Sequence, residues 1–175
     1  MSRSPAARLA AASGVLAFAL ALAGCAAIGD LLGGGSPQRD EETNQVTEGG
    51  DVDVFELEVG DCLKLGETGE LSSAAVVPCG EPHTEEIFHE FEMEDGDWPG
   101  EDAVEKAADE GCYGAFESFV GKAYEDSTLD YVFLSPLEDG WNDPSVKDRL
   151  VQCVIYEPTD GGAKEITGSL EGAAR

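Results

Sequence analysis

The chain has 175 residues, with 10 Lys and Arg against 37 Asp and Glu, which gives a formal net charge of −27 at pH 7. Sequence-independent binding to nucleic acid needs clustered basic residues, so this composition excludes that class of function. The length favours one domain with extensions, and like-charged copies repel one another. We therefore expect the folded part to be a monomer.

The first 24 residues have the pattern of a secretory signal peptide. Arg3 and Arg8 are their only charges, and an apolar run over residues 9–21 follows before the segment ends in small residues. A run of about 13 residues is shorter than the roughly 20 that a helix needs to cross a bilayer. The segment predicts export without a stable transmembrane anchor.

The end of this segment, Leu22-Ala23-Gly24-Cys25, resembles the lipobox of bacterial lipoproteins. The resemblance implies cleavage before Cys25, a diacylglyceryl group on its thiol, and a freed amine that is open to further acylation, for example with palmitate. Two or more chains anchor a protein stably, whereas one binds only marginally. The alternative is ordinary cleavage after Ala21-Leu22-Ala23. The lipobox predicts attachment to the outer face of the cell membrane through Cys25.

Residues 25–51 are rich in glycine and polar side chains and show no sustained periodicity. Such a composition is typical of a flexible linker, with a mean reach of roughly 28 Å for a coil of this length. We predict a lipid-anchored acidic linker over residues 25–51 and a folded extracytoplasmic domain over residues 52–175.

Short alternating or β-branched segments predict strands through most of this domain. The expected strands cover residues 52–59, 62–65, 71–77, 83–93, 129–134 and 150–156, with a weak last strand near Ile166. Turn residues at 66–69 predict a hairpin between the second and third. In the fourth, Glu86 and Phe88 fall on the face with more carboxylates, which we expect to be the more solvated one.

One long helix is expected after residue 100. Apolar residues recur at helical spacing from Val104 to Val120, Glu101 and Asp102 suit the positive N-terminal end, and Gly121 is placed for a C-cap. Strands, one helix and further strands, without regular alternation, predict an α+β fold. The helix should cover one face of a small antiparallel sheet.

Four cysteines remain once Cys25 is assigned to lipid, and four thiols allow three pairings. Export favours disulfides, and the spacing lacks the short paired gaps of a zinc site. Cys62 and Cys79 bracket the predicted hairpin, whereas Cys112 lies on the apolar helix face and Cys153 on a strand face. We therefore predict the pairs Cys62 with Cys79 and Cys112 with Cys153, with no metal and no cofactor.

Several short sequence motifs, which we call marks, follow one another along the domain. The marks are Val59-Gly60-Asp61-Cys62, Val76-Val77-Pro78-Cys79, Pro82-His83 followed by Glu85 or Glu86, Gly111-Cys112 with Phe116, Trp141, Asp148-Arg149, Cys153 and Gly168-Ser169-Leu170. Together they resemble the septum formation domain family of actinobacterial envelope proteins over about residues 54 to 172. Residues 142–147 depart from the family pattern as a longer loop. The resemblance implies a link to division or envelope assembly, and it implies no reaction.

The histidines, His83 and His89, could serve with Glu85 as an acid/base pair or a metal site. Along a regular strand the two histidines lie about 20 Å apart, which is too far for one ion. We expect His83 to bond backbone groups and His89 to be partly buried. The mature chain also lacks the Gly-x-Ser-x-Gly and Ser-x-x-Lys motifs of serine hydrolases.

An acidic loop begins at Asp95 and superficially resembles a calcium loop, but its twelfth position is Lys106 instead of a bidentate carboxylate. Trp98 and Trp141, with Tyr131, could form an exposed platform for a ligand, although aromatic residues at loops more often pack. Arg149 should pair with a carboxylate.

The leading hypothesis is a non-catalytic, lipid-anchored module that binds an envelope protein or a wall component. The alternatives are a small envelope hydrolase that uses His83 and a structural protein that binds calcium weakly near Asp95.

Overall fold

A computed structural model describes residues 36–65 and 72–175 of the chain. The predicted signal peptide, the predicted lipidation site at Cys25 and the first part of the predicted linker lie outside these ranges, as does the turn of the predicted hairpin. Within the two ranges, no helix combines the length and the apolar character that a membrane span requires.

The described chain contains ten short strands and two α-helices. The strands are β1 (Gln38–Arg39), β2 (Val46–Glu48), β3 (Gly50–Asp53), β4 (Cys62–Lys64), β5 (Ser73–Val77), β6 (Glu85–Glu92), β7 (Asp130–Leu134), β8 (Leu150–Tyr156), β9 (Pro158–Thr159) and β10 (Gly162–Ala163). The helices are α1 (Glu101–Val120) and α2 (Glu138–Asn142), and single 3-10 turns cover Val54–Glu56 and Tyr124–Asp126.

Six of the strands form one sheet in the order β3-β5-β4-β6-β8-β7, and every neighbouring pair in it is antiparallel. The remaining strands form two small hairpins, β1 with β2 and β9 with β10. The sheet and the long helix confirm the predicted α+β fold. The hairpin of the second and third predicted strands corresponds to β4 and β5, which pair with Leu63 opposite Val76.

Helix α1 covers one face of the sheet, as its periodicity predicts. Its buried residues, spaced four apart along one stripe, are Val104, Ala108, Cys112, Phe116 and Val120. The last four of them pack in one apolar cluster with Val151, Cys153 and Ile155 of β8. The helix ends at Gly121, whose positive φ of 79° favours glycine and whose N–H donates to the carbonyl of Glu117. A second apolar cluster, containing Val76, Ile87 and Val154, lies on the other face of the sheet.

The prediction for the two faces of β6 is wrong. A bulge between Ile87 and His89 interrupts the alternation, so Phe88 and Phe91 both pack on the side of α1. The ring of Phe88 lies 6.1 Å from that of Phe116, centroid to centroid. The face that carries Glu86 and Phe88 is therefore buried, because α1 and the C-terminal segment cover it.

The predicted linker is also wrong over its second half. Residues 38–53 contain β1, β2 and β3, and β3 pairs with β5 so that Val52 lies opposite Ala74 in the second apolar cluster. The predicted strand over residues 52–59 ends early, because the Asp53 side chain accepts the N–H of Phe55 and starts a 3-10 turn. Backbone pairing orders this polar stretch, and composition does not reveal backbone pairing.

Both predicted disulfides are confirmed. Cys62–Cys79 joins β4 to the turn after β5, and Cys112–Cys153 joins α1 to β8 inside the core. The weak last strand reduces to a single bridge between His83 and Ile166.

Candidate functional site

His83 is completely buried. Its Nδ1 lies 2.8 Å from the carbonyl oxygen of Glu81, so this ring nitrogen carries the proton and donates. Its backbone N–H and C=O both bond to Ile166. Its Nε2 has no hydrogen-bond partner within the described ranges. The prediction that His83 bonds backbone groups is confirmed, and the hydrogen-bonded neighbour of the ring is a carbonyl instead of a carboxylate.

The other residues of the predicted acid/base group lie elsewhere. His89 is half-buried, stands opposite Cys153 in the sheet, and stacks on Phe91 with 5.8 Å between ring centroids. Glu85 turns to β4, where its carboxylate accepts the backbone N–H of Leu65. The structure therefore engages each of these residues locally and does not assemble them around His83.

Glu86 is a buried carboxyl group that the sequence did not single out from its neighbour. One of its oxygens accepts the hydroxyl of Ser169 and the other accepts the N–H of Leu170, each at 2.6 Å. Burial raises the pKa of the Glu86 carboxyl and the charge of Glu171 adds to this, while the two hydrogen bonds oppose it. Two marks that are 83 residues apart in the sequence therefore meet in space.

The same region contains the first disulfide. A Glu86 oxygen and the sulfurs of Cys62 and Cys79 lie within 4.8 Å of one another. Because the two sulfurs are bonded to each other, they are not the thiolates that a metal site needs. The carbonyl of Cys79 also accepts the N–H of Gly168 at 2.6 Å. These contacts, with the His83–Ile166 bridge, form a C-terminal clamp that holds residues 166–170 against β6 and the disulfide.

Two further marks, Trp141 and Arg149, form a second cluster. The Arg149 guanidinium lies 3.6 Å from the Trp141 ring centroid, donates to the carbonyl of Trp141, and bonds Asp95 at 2.9 Å. The Trp141 Nε1–H donates to the carbonyl of Gly96, and Trp98 packs edge-on at 5.4 Å. The predicted pairing of Arg149 is confirmed.

This cluster also bears on two other expectations. Trp141 is only 4% exposed, so it packs beneath its loop and is not part of an exposed platform. Tyr131 lies apart from the two tryptophans, on β7, where it contacts Phe88 and Tyr124. Asp95, the first ligand of the hypothetical calcium loop, is held by Arg149 in an ion pair.

A shallow, open groove lies between β7 and the first half of α1, and we call it the α1–β7 groove. Its lining residues are Asp102, Glu105, Lys106, Asp109 and Phe133. The three carboxylates follow the spacing i, i+3 and i+7, which places them on one side of the helix. Strand β7 is at the end of the sheet, and no strand in the described ranges pairs with its outer side.

The charges of this groove are only partly compensated. Asp109 accepts the hydroxyl of Tyr131 at 2.8 Å, and Lys106 lies 3.5 Å from Glu110, which is outside the groove. Among the described residues, no cationic group lies within 4 Å of Asp102 or Glu105. Sequence reasoning missed this groove because carboxylates on a helix are typical of a solvated face.

The fold and its clusters define a class: a disulfide-linked α+β domain with an acidic groove between its long helix and the last strand of its sheet. A family model described as "Septum formation" matches residues 59–175. The chain belongs to this family, which confirms the resemblance read from the ordered marks. No curated protein and no solved structure matches the chain.

Proposed function

We propose that this chain is a lipid-anchored, extracytoplasmic and non-catalytic module that binds a protein partner in septum formation or envelope assembly. Family membership supports the association with the septum. The sequence Leu22-Ala23-Gly24-Cys25 supports the anchor, and two disulfides suit an oxidising location outside the cytoplasm.

The observation that carries the binding role is the α1–β7 groove. It combines an open strand edge with two carboxylates, those of Asp102 and Glu105, that form no ion pair within the described ranges. Exposed strand edges are surfaces on which proteins add a further strand. His83, in contrast, is buried and bonds a backbone carbonyl, so it offers no group that a substrate could reach.

The anchor is tested by growing cells with an alkyne analogue of palmitate and comparing the full chain with Cys25→Ala. We expect label on the unaltered chain and none on C25A, with the unaltered chain in the membrane fraction. Globomycin, which blocks lipoprotein signal peptidase, is the matched chemical control and should leave the longer precursor. A mature chain without lipid would contradict the anchor.

The binding role is tested by crosslinking the membrane-anchored chain in intact cells and identifying what is attached. A defined envelope protein, recovered again in the reciprocal experiment, is the expected result. Purified protein that turns over a wall or lipid substrate, with that turnover abolished by His83→Ala and no partner crosslinked, would overturn the proposal in favour of a hydrolase.

A further inference from the structure

We infer that the open edge of β7 accepts an extended basic segment of a partner protein as a seventh strand, with Lys or Arg side chains of that segment facing Asp102 and Glu105. This inference rests on the proposed binding function and names its surface and the chemistry of its partner.

The backbone of β7 supplies the first argument. The N–H of Tyr131 bonds its neighbour's side-chain oxygen, Asp130 Oδ1, at 2.8 Å, so it points away from β8. In an antiparallel pair, alternate residues direct their N–H and C=O to the same side. The N–H and C=O of Phe133 therefore point outward as well, and no described strand pairs with that side.

The side chains around the edge supply the second argument. An added strand would place alternate side chains on opposite faces of the sheet. Those on the helix side enter the α1–β7 groove, where Asp102 and Glu105 lie beside Phe133. Those on the other side meet Val132, which is 46% exposed. The fitting segment alternates basic residues with apolar or β-branched ones.

A second copy of this chain is a poorer occupant. Antiparallel pairing of β7 with the β7 of another copy would place both α1 helices on one face of the joined sheet, with their carboxylates side by side. Each copy carries a formal net charge of −27, and like charges across an interface disfavour association. Charge complementarity therefore favours a different, basic partner.

The direct test uses the full chain and an eight-residue probe peptide that alternates lysine with valine, with a glutamate–valine peptide as the charge-reversed probe. We expect binding of the lysine peptide alone, measured by fluorescence anisotropy. NMR hydrogen exchange should show slower exchange of the Phe133 amide in the complex. N-methylation of every second residue removes the N–H donors along one edge of the lysine peptide. The peptide should then lose one of the two orientations in which it can pair with β7, and it should bind more weakly.

The matched variants separate the groove from the overall charge. D102K/E105K reverses two charges inside the groove, and E117K/E171K reverses two exposed charges near the C-terminal end of the same helix, away from the groove. We expect about tenfold weaker binding for D102K/E105K and less than a twofold change for E117K/E171K. If D102K/E105K unfolds, D102N/E105Q should still weaken binding severalfold. Equal losses in both double variants, or no protection of Phe133, would show nonspecific attraction and overturn the inference.

A photo-crosslinking residue at Val132, with another exposed position, Phe55, as the control, separates this inference from the proposed function. Capture from Val132 of the partner found by reciprocal crosslinking supports both. Capture of that partner from Phe55 alone leaves the binding module intact and overturns the β7 surface. Crosslinked dimers from Val132 would assign the edge to a second copy and overturn it equally.

Discussion

Arg39 holds Asp61 by two hydrogen bonds, from Nη1 to Oδ1 at 2.6 Å and from Nη2 to Oδ2 at 2.8 Å. The Asp61 side chain is 2% exposed, and its Oδ2 also accepts the N–H of Glu58. The pair fastens β1 to the turn that leads into β4. Within the described residues, the strand pairing therefore extends about twenty residues beyond the start of the part that the family model matches.

Arg39→Ala should destabilise the domain by about 3 kcal/mol, because it leaves a buried carboxylate without its charged partner. Arg39→Lys keeps the charge but loses the bidentate geometry, so its stability should lie between those of Arg39→Ala and the wild type. Urea unfolding at neutral pH measures both. Arg175→Ala, at a more exposed ion pair with Glu157, is the control and should cost less than 1 kcal/mol. Equal losses at Arg39 and Arg175 would show that the buried pair contributes nothing special.

Gly111 and Gly114 lie on the same helix and make a matched pair. A Cβ at Gly111 would meet the ring of Phe91 at a Cε1 distance of 2.4 Å, whereas a Cβ at Gly114 meets nothing within 4 Å. Gly114→Ala should therefore stabilise the domain by about 0.5 to 1 kcal/mol through helix propensity. Gly111→Ala should destabilise it by about 1 to 2 kcal/mol, because overpacking outweighs that gain.

The cause of the Gly111 effect is checked with a double-mutant cycle. The smaller side chain in Phe91→Leu should relieve the clash, so the cost of G111A should be smaller in that background. Thermal or urea unfolding of the four proteins gives the coupling free energy. An additive result, or stabilisation by G111A alone, would mean that α1 does not approach β6 this closely.

Glu86 predicts a stability that falls as the pH rises. Burial raises the pKa of its carboxyl above the ordinary value of 4.5, so the folded state holds this proton more tightly than the unfolded state does. Its contribution is fully present below pH 4.5 and is lost as the pH passes through the raised folded-state pKa. The unfolding free energy of the wild type, measured relative to that of Glu86→Gln, should therefore fall as the pH rises.

Ser169→Ala tests the same linkage from the other side. It removes one hydrogen bond that opposes the rise in the pKa of Glu86, so the loss of stability with pH should become larger than in the wild type. Urea unfolding between pH 4 and pH 8 measures all three proteins. A wild type that gains stability, relative to E86Q, as the pH rises would show that the folded state favours the ionised form.

The two disulfides should differ in accessibility and in contribution. Cys112 and Cys153 are completely buried, whereas Cys79 is only half-buried. A mild thiol reductant under native conditions should therefore open Cys62–Cys79 first, which alkylation and peptide mass mapping would show. Earlier labelling of Cys112 or Cys153 would contradict this order.

Removal of each disulfide by paired alanine substitutions should cost stability according to loop length. The sequence separations of 17 and 41 residues predict about 3 kcal/mol for Cys62–Cys79 and about 4 kcal/mol for Cys112–Cys153. Urea unfolding of C62A/C79A and C112A/C153A compares them. A smaller loss for C112A/C153A would contradict the loop-length account.

The sequence by itself determined the features that depend on local order. The spacing of apolar residues identified α1, Gly121 identified its end, and the positions of four cysteines on the expected elements identified both disulfides. Each of these features is a relation between near neighbours or between elements whose faces the periodicity already defines. The α+β class and the family follow from the same kind of order along the chain.

Only the tertiary structure decided what depends on contacts across long separations. The buried position of Glu86 depends on its hydrogen bonds to Ser169 and Leu170. The position of β1 depends on the ion pair of Arg39 with Asp61, and the polar composition around Arg39 does not indicate this distant partner. One bulge moved Phe91 to the side of α1, because an extra residue in a strand reverses every later side chain. The α1–β7 groove also depends on the tertiary structure, because the strand order of the sheet decides whether a strand has an open edge.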